Sequence, residues 1–141
     1  MIILDTNVVS ALMRARAEPR VTAWLDYQPV ESIWITSVTI YETALGVALL
    51  PKGRRRSALE AAFLQILEID LERRVLDFDR TAAEASATLS AERQRAGRIV
   101  DVRDTQIAGI ALARHASLAT RNLRHFADAG IALVNPWDFE S

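Results

Sequence analysis

Short apolar runs rich in β-branched residues recur along this chain, separated by stretches whose apolar residues keep helical spacing. That alternation constrains the fold more than any other feature. Met1 to Leu4, Ile33 to Thr36, Val75 to Phe78, Ser117 to Thr120 and Ile131 to Val134 read as strands or short extended pieces. Between them the sequence predicts helices. The first follows Asp5-Thr6-Asn7, with Asp5 or Thr6 as N-cap, and runs to about Met13. The second begins at Pro19, which suits a first turn, and carries Val21, Trp24 and Leu25. Val38 to Leu50 is the third, closed by Pro51-Lys52-Gly53, and Arg54 to about Glu68 the fourth. Asp79 caps an alanine-rich fifth that stops at Gly97, and another spans about Val102 to His115. Pro136-Trp137 closes the ordered part. Strands joined through helices run parallel, and a parallel sheet is covered on both faces. The expected class is α/β: a parallel-sheet α/β/α sandwich with helices on both faces.

A chain of 141 residues is expected to form one domain spanning 1–141. It has no cysteine, which excludes a disulfide framework, a thiolate metal site and a cysteine nucleophile, and fits a cytoplasmic location. The opening apolar run meets Asp5 at once, so it is read as neither a signal peptide nor a membrane span. A net charge of -1 argues against a basic coat for nucleic acid. Of the 17 basic residues, Lys52 is the only lysine, so anion sites must be local and built from arginine.

In sheets of this kind the chemistry collects beyond the carboxyl ends of the strands. Asp5 follows the first strand directly, Thr36-Ser37 the second and Thr120-Arg121-Asn122 a late one. Glu42 shares its helix face with Val38, Leu45, Gly46 and Leu49, an apolar stripe where a carboxylate is costly to bury. Thr39-x-x-Glu42 also has the spacing of a capping box, which would occupy Glu42 with a backbone amide. Asp104 lies on the face of Ile107, Ala108 and Ala111, while Arg103 and Gln106 are expected to point elsewhere. A first-turn aspartate favoured by the helix dipole is the alternative there, although Asp101 is better placed as N-cap. Asp5 has its own capping alternative. Taken together, Asp5, Glu42 and Asp104 repel unless a cation joins them. All-oxygen ligands suit Mg²⁺, with Mn²⁺ as substitute, rather than zinc, and His115 and His125 are read as surface or helix-end residues.

Ile3-Leu4-Asp5-Thr6-Asn7, Ser37-x4-Glu42, Asp104-x2-Ile107-Ala108 and Leu118-Ala119-Thr120-Arg121-Asn122 stand in the order seen in PIN domains, and the chain resembles that family over essentially its whole length. The likeness is greatest to VapC-like toxins of bacterial type II toxin–antitoxin modules, and Val134-Asn135-Pro136-Trp137 resembles the ending of one subgroup. The resemblance implies a metal-dependent endoribonuclease that homodimerises and is silenced by a small antitoxin protein. It implies that Asp5 and Asp104 hold the metal, with Glu42 helping directly or through water. Many members carry a fourth acid where this chain has Asn122, an oxygen ligand without the charge, which leaves a second tightly bound metal in doubt. Thr6, Asn7, Ser37 and Thr120 are candidates for positioning water or phosphate.

RNA approaching an acidic pocket needs basic residues beside it. Lys52 with Arg54, Arg55 and Arg56, and Arg121 with Arg124, are candidates for contact with RNA or antitoxin. Direct DNA binding is expected only through the antitoxin. A haloacid-dehalogenase-like phosphatase needs a second acid where Asn7 stands and a late lysine, and a receiver domain needs the same lysine; neither is present. Two readings remain beside the toxin: a non-catalytic PIN-like scaffold that binds RNA or protein, and a housekeeping RNA-processing nuclease.

Overall fold

The polypeptide follows the predicted alternation, with its order fixed by a central first strand. The structure is a computed structural model that describes residues 1–140. Strands β1 (Ile2–Leu4), β2 (Ile33–Thr36), β3 (Val75–Leu76), β4 (Ser117–Ala119) and β5 (Leu133–Val134) form one parallel sheet in the order β3-β2-β1-β4-β5. Ile2 pairs with both Ile33 and Ser117, which puts β1 in the middle. Consecutive side chains of a strand face opposite ways, so β1 feeds two cores. Ile3 enters a cluster with Leu118, Ile107, Ile110 and Phe126, whereas Leu4 enters another with Val8, Trp24, Ile35 and Phe63. Helices α1 (Thr6–Met13), α2 (Pro19–Tyr27) and α4 (Arg54–Leu64) supply the second cluster. Helices α5 (Arg80–Arg95) and α6 (Val102–Arg114) pack together in the first. This is the expected α/β/α sandwich. Among the described residues no helix is long and apolar enough to cross a membrane.

Local chemistry sets the boundaries. Asp5 caps α1 by accepting the Thr6 N–H at 2.8 Å, and Asp79 caps α5 through Ala82 at 3.0 Å. Asp101 caps α6 through Arg103 at 2.8 Å, which leaves Asp104 free of that duty. Helix α3 (Ser37–Ala48) starts one residue before its predicted beginning, capped by the Thr36 hydroxyl on the Thr39 N–H at 3.1 Å. The fourth helix does not continue regularly to Glu68. From Gln65 to Asp70 it widens into a π-helix, and this wider turn keeps Phe63, Ile66 and Leu71 all in the same core. After β5 a 3-10 turn over Pro136–Asp138 is held by the Asn135 side chain on the Trp137 N–H at 3.0 Å.

Candidate active site

Strand order reverses between β1 and β4, so the carboxyl ends of these two strands open the crevice where α/β sheets place their ligands. The Asp5 N–H still pairs with Ala119 O at 2.9 Å, and its side chain stands at the mouth of that crevice. Asp5 is 3% exposed, yet it is held by more than its cap. While Oδ1 takes the Thr6 N–H, Oδ2 accepts from the Thr120 hydroxyl at 2.7 Å and from Asn7 Nδ2 at 3.0 Å. Asn7 in turn accepts the Arg121 N–H at 3.2 Å, so the turns after β1 and β4 are tied together. Burial pushes the Asp5 carboxyl up from its ordinary 3.8 to about 6. Hydrogen bonds from Thr120 and Thr6 oppose the rise, and the negative charges of Asp104 and Glu42 add to it.

Glu42 is not in a capping box. Thr36 is the cap and Thr39 its third residue, so Glu42 lies a turn too far along. Its Oε1 instead accepts from the Thr6 hydroxyl at 2.8 Å, linking α3 to the residue beside Asp5. The stripe around it is only partly buried: Val38 is in the core, but Leu45 is 37% and Leu49 76% exposed. Apolar spacing alone did not separate a core face from an exposed apolar one, because both read alike.

Asp104 projects from the first turn of α6, and its neighbour runs against the sequence expectation. The Arg103 guanidinium does not point away: Nε lies 3.7 Å from Glu42 Oε2 and 3.5 Å from Asp101 Oδ1. His125 is more than a surface residue, since its Nδ1 stands 2.9 Å from Asp104 Oδ2. The Arg103–Glu42 and His125–Asp104 contacts join elements distant in sequence, which periodicity within one helix cannot reveal. The one available signal was that His125 lies three residues beyond Asn122, within the turn already assigned to the site.

Other candidates divide. Thr6, Asn7 and Thr120 are gathered around Asp5, and the Asn122 N–H donates to Thr120 Oγ1 at 3.0 Å. Ser37 is used elsewhere, accepting the Phe78 N–H at 3.0 Å, and no described hydrogen bond joins it to the acids. Arg55 lines a cavity of about 290 Å³ with Arg14, Thr6 and Glu42, whereas Arg56 is paired to Glu60 at 3.0 Å and Arg54 is exposed. Arg121 lies 5.0 Å over the Trp137 ring, beside the Asp5 cluster. Arg124 faces a different groove with Trp24, Tyr27 and Phe139.

The donor chemistry fits a hard divalent cation: carboxylate oxygens on three elements, one of them raised to about 6 by its burial. The side chains are not drawn to one point, however. Among the described residues no group of three acids and histidines is close enough to hold a metal ion. Glu42 is engaged by Thr6 through Oε1 and faces Arg103, whereas His125 engages Asp104 through Oδ2 alone and leaves Asp104 Oδ1 without a hydrogen bond among the described residues.

The chain is similar to known proteins over essentially its whole length. The family model described as PIN domain matches residues 2–131. Plasmid stability protein StbB of Pseudomonas syringae pv. tomato is 38% identical over 98% of this chain and 99% of its own length. VapC ribonuclease Y4jK of Sinorhizobium fredii is 36% identical with the same coverage of both chains. Toxin FitB of Neisseria gonorrhoeae is 34% identical over 97% of this chain and 99% of its own. The solved structure of FitAB bound to an IR36 DNA fragment matches with a TM-score of 0.88 at 34% identity, covering 100% of this chain and 99% of that one.

Proposed function

The chain belongs to the PIN-domain family, and on that premise we propose that it is a metal-dependent endoribonuclease, the toxin of a toxin–antitoxin pair. The observation that carries the reading is Asp5: a carboxyl buried at the end of the central strand, held in one direction by Thr6, Asn7 and Thr120, and pushed to about 6 by burial with smaller contributions from the charges of Asp104 and Glu42. A fold gains nothing from these charges unless a cation offsets them. The relatives named as a VapC ribonuclease and as a toxin support the choice of RNA and of a toxin role.

Asp5, Asp104 and Glu42 would hold Mg²⁺ or Mn²⁺, which when bound supplies positive charge for the phosphate oxygens and an activated water. The residues of the chain divide the remaining work. Thr6, Asn7 and Thr120 lock the Asp5 side chain, so its oxygens keep their direction without loss of entropy on binding. His125 orients Asp104 through Nδ1. Arg103 and Arg121 border the acids and offer cations to the RNA backbone, as Arg14 and Arg55 do on the side of Glu42.

The partner is a small antitoxin, supported by the FitAB likeness. Its basic side chain would enter the acidic pocket, and contact with DNA would belong to the antitoxin. Tyr41 and Leu45 on α3, Leu49 just beyond its end and Leu64 on α4 leave apolar surface open, which suits homodimer or antitoxin contacts. Expression of the chain alone is expected to arrest growth, and co-expression of its gene neighbour to relieve that arrest. Size measurement of the purified chain, with and without that neighbour, is expected to give a dimer and then a larger complex. A chain that binds no Mn²⁺, cuts no RNA and arrests nothing is instead the non-catalytic scaffold.

Asn122 tests the charge of the site separately. Its side chain makes no hydrogen bond within the described residues, although its backbone joins Thr120 beside Asp5. Asn122→Asp is expected to tighten Mn²⁺ binding roughly tenfold, because a hard cation gains a full negative ligand. Titration calorimetry measures this directly, and an unchanged affinity would make Asn122 a turn residue only.

A further inference from the structure

Arg93, on the last turn of α5, is 3% exposed and lies outside the acids and hydroxyls described above. Each of its three guanidinium nitrogens donates a hydrogen bond. Nε donates to Asp128 Oδ2 at 3.0 Å and Nη2 to Asp128 Oδ1 at 2.8 Å, a bidentate fork. Nη1 donates to the Thr105 hydroxyl at 2.7 Å, and Nη2 also to the His125 carbonyl at 2.8 Å. These acceptors belong to only two pieces of chain. Thr105 follows Asp104 in the first turn of α6, while His125 and Asp128 belong to the loop after β4. The same two pieces meet at the His125–Asp104 contact of 2.9 Å. One buried cation therefore sets the separation of the parts whose outer contact orients a candidate ligand.

Burying a guanidinium is costly, and apolar residues in place of a buried ion pair often stabilise a fold. The loop does not need Arg93 merely to dock, since Phe126 is 0% exposed in the core beneath it. What the fork supplies and an apolar contact would not is direction. We propose that Arg93 is a positioning residue of the site, fixing the loop after β4 against α6 so that His125 holds Asp104 in its working orientation. The proposal rests on the reading of Asp104 as a metal ligand, but the loop geometry can be measured without it.

The test replaces the pair by apolar residues, Arg93→Met with Asp128→Leu, in the full chain. The variant is expected to melt at or above the native temperature. Its RNA cleavage is expected to fall at least about tenfold through kcat rather than KM, and its Mn²⁺ affinity by a similar factor, the usual cost of losing an outer-shell partner. The ¹⁵N resonance of His125 Nδ1 should lose the shift of a hydrogen-bonded nitrogen. Should the pair variant not fold, Thr105→Val removes the α6 arm alone, and the same three readouts decide. A folded variant with native kcat, Mn²⁺ affinity and His125 resonance overturns the proposal. If the native chain cleaves no RNA, the nuclease reading fails by itself, and the His125 resonance still decides whether Arg93 positions the loop.

Discussion

Asp5→Asn is expected to slow RNA cleavage roughly a thousandfold or more, in the range seen when one member of a catalytic group is lost. The same change is expected to raise the melting temperature of the metal-free chain. With its pKa pushed from 3.8 to about 6, ionised Asp5 costs the fold on the order of 3 kcal/mol. Asparagine can keep the cap on Thr6 and avoid the charge, but its amide nitrogen then meets the Asn7 amide that Oδ2 accepted from, so only about 1–2 kcal/mol should be recovered, or roughly 3–6 °C in a chain of this size. The pH dependence follows from the direction of the shift. Between 3.8 and about 6 the folded chain holds a proton that the unfolded chain has released. This group therefore favours folding below that window, and the advantage is lost as pH rises through it. The gap in melting temperature between variant and native chain, measured in chelator, should open from near pH 4 to above pH 6. A gap that stays constant, or a variant that loses its fold, would make Asp5 a structural cap. Full cleavage by the variant would remove Asp5 from the chemistry.

The largest loss of stability is expected at Gly109, where α6 packs against Ala82 and Ser86 of α5 with no room for a Cβ. A Cβ there would run into Ser86 Oγ and stand 2.7 Å from the Ala82 carbonyl oxygen and 2.9 Å from Ser86 Cβ. Two of those three atoms cannot swing away, and the third already donates to Thr105 O at 3.3 Å. Gly109→Ala gains helix propensity but forces the helices apart, for a net loss of about 2–3 kcal/mol. Thermal melting should register a drop of roughly 5–10 °C. Adding Ser86→Ala removes the nearest atom and leaves the Ala82 carbonyl, so rescue should be partial. Because α6 carries Asp104, cleavage should fall as well. A melting temperature equal to native would mean that the helices part at no cost.

Much of this protein is legible in its sequence. Asp79 and Asp101 read as caps because a short acid before a helical run has one good use, and both are caps. The strands read correctly to within a residue or two, since β-branched runs bounded by polar turns have few other solutions. Elsewhere the local rule stopped short. The π-helical stretch from Gln65 keeps a helical pattern in sequence, and only the demand of Phe63, Ile66 and Leu71 for the same core widened it.

The sequence by itself determined the α/β class, the family motifs and three acids at strand ends or helix faces, because these depend on spacing along one element. The tertiary structure decided what each acid touches. Thr6 reaches Glu42 across 36 positions, Thr120 reaches Asp5 across 115, and His125 reaches Asp104 from another turn of the chain. Arg93 was invisible for the same reason: on α5 it is one arginine among surface charges, and its burial is made by α6 and a loop far along the chain. A helix or strand declares its own period, but a hydrogen bond between elements depends on how strands are ordered in the sheet. That order arises only when both faces of β1 are buried at once.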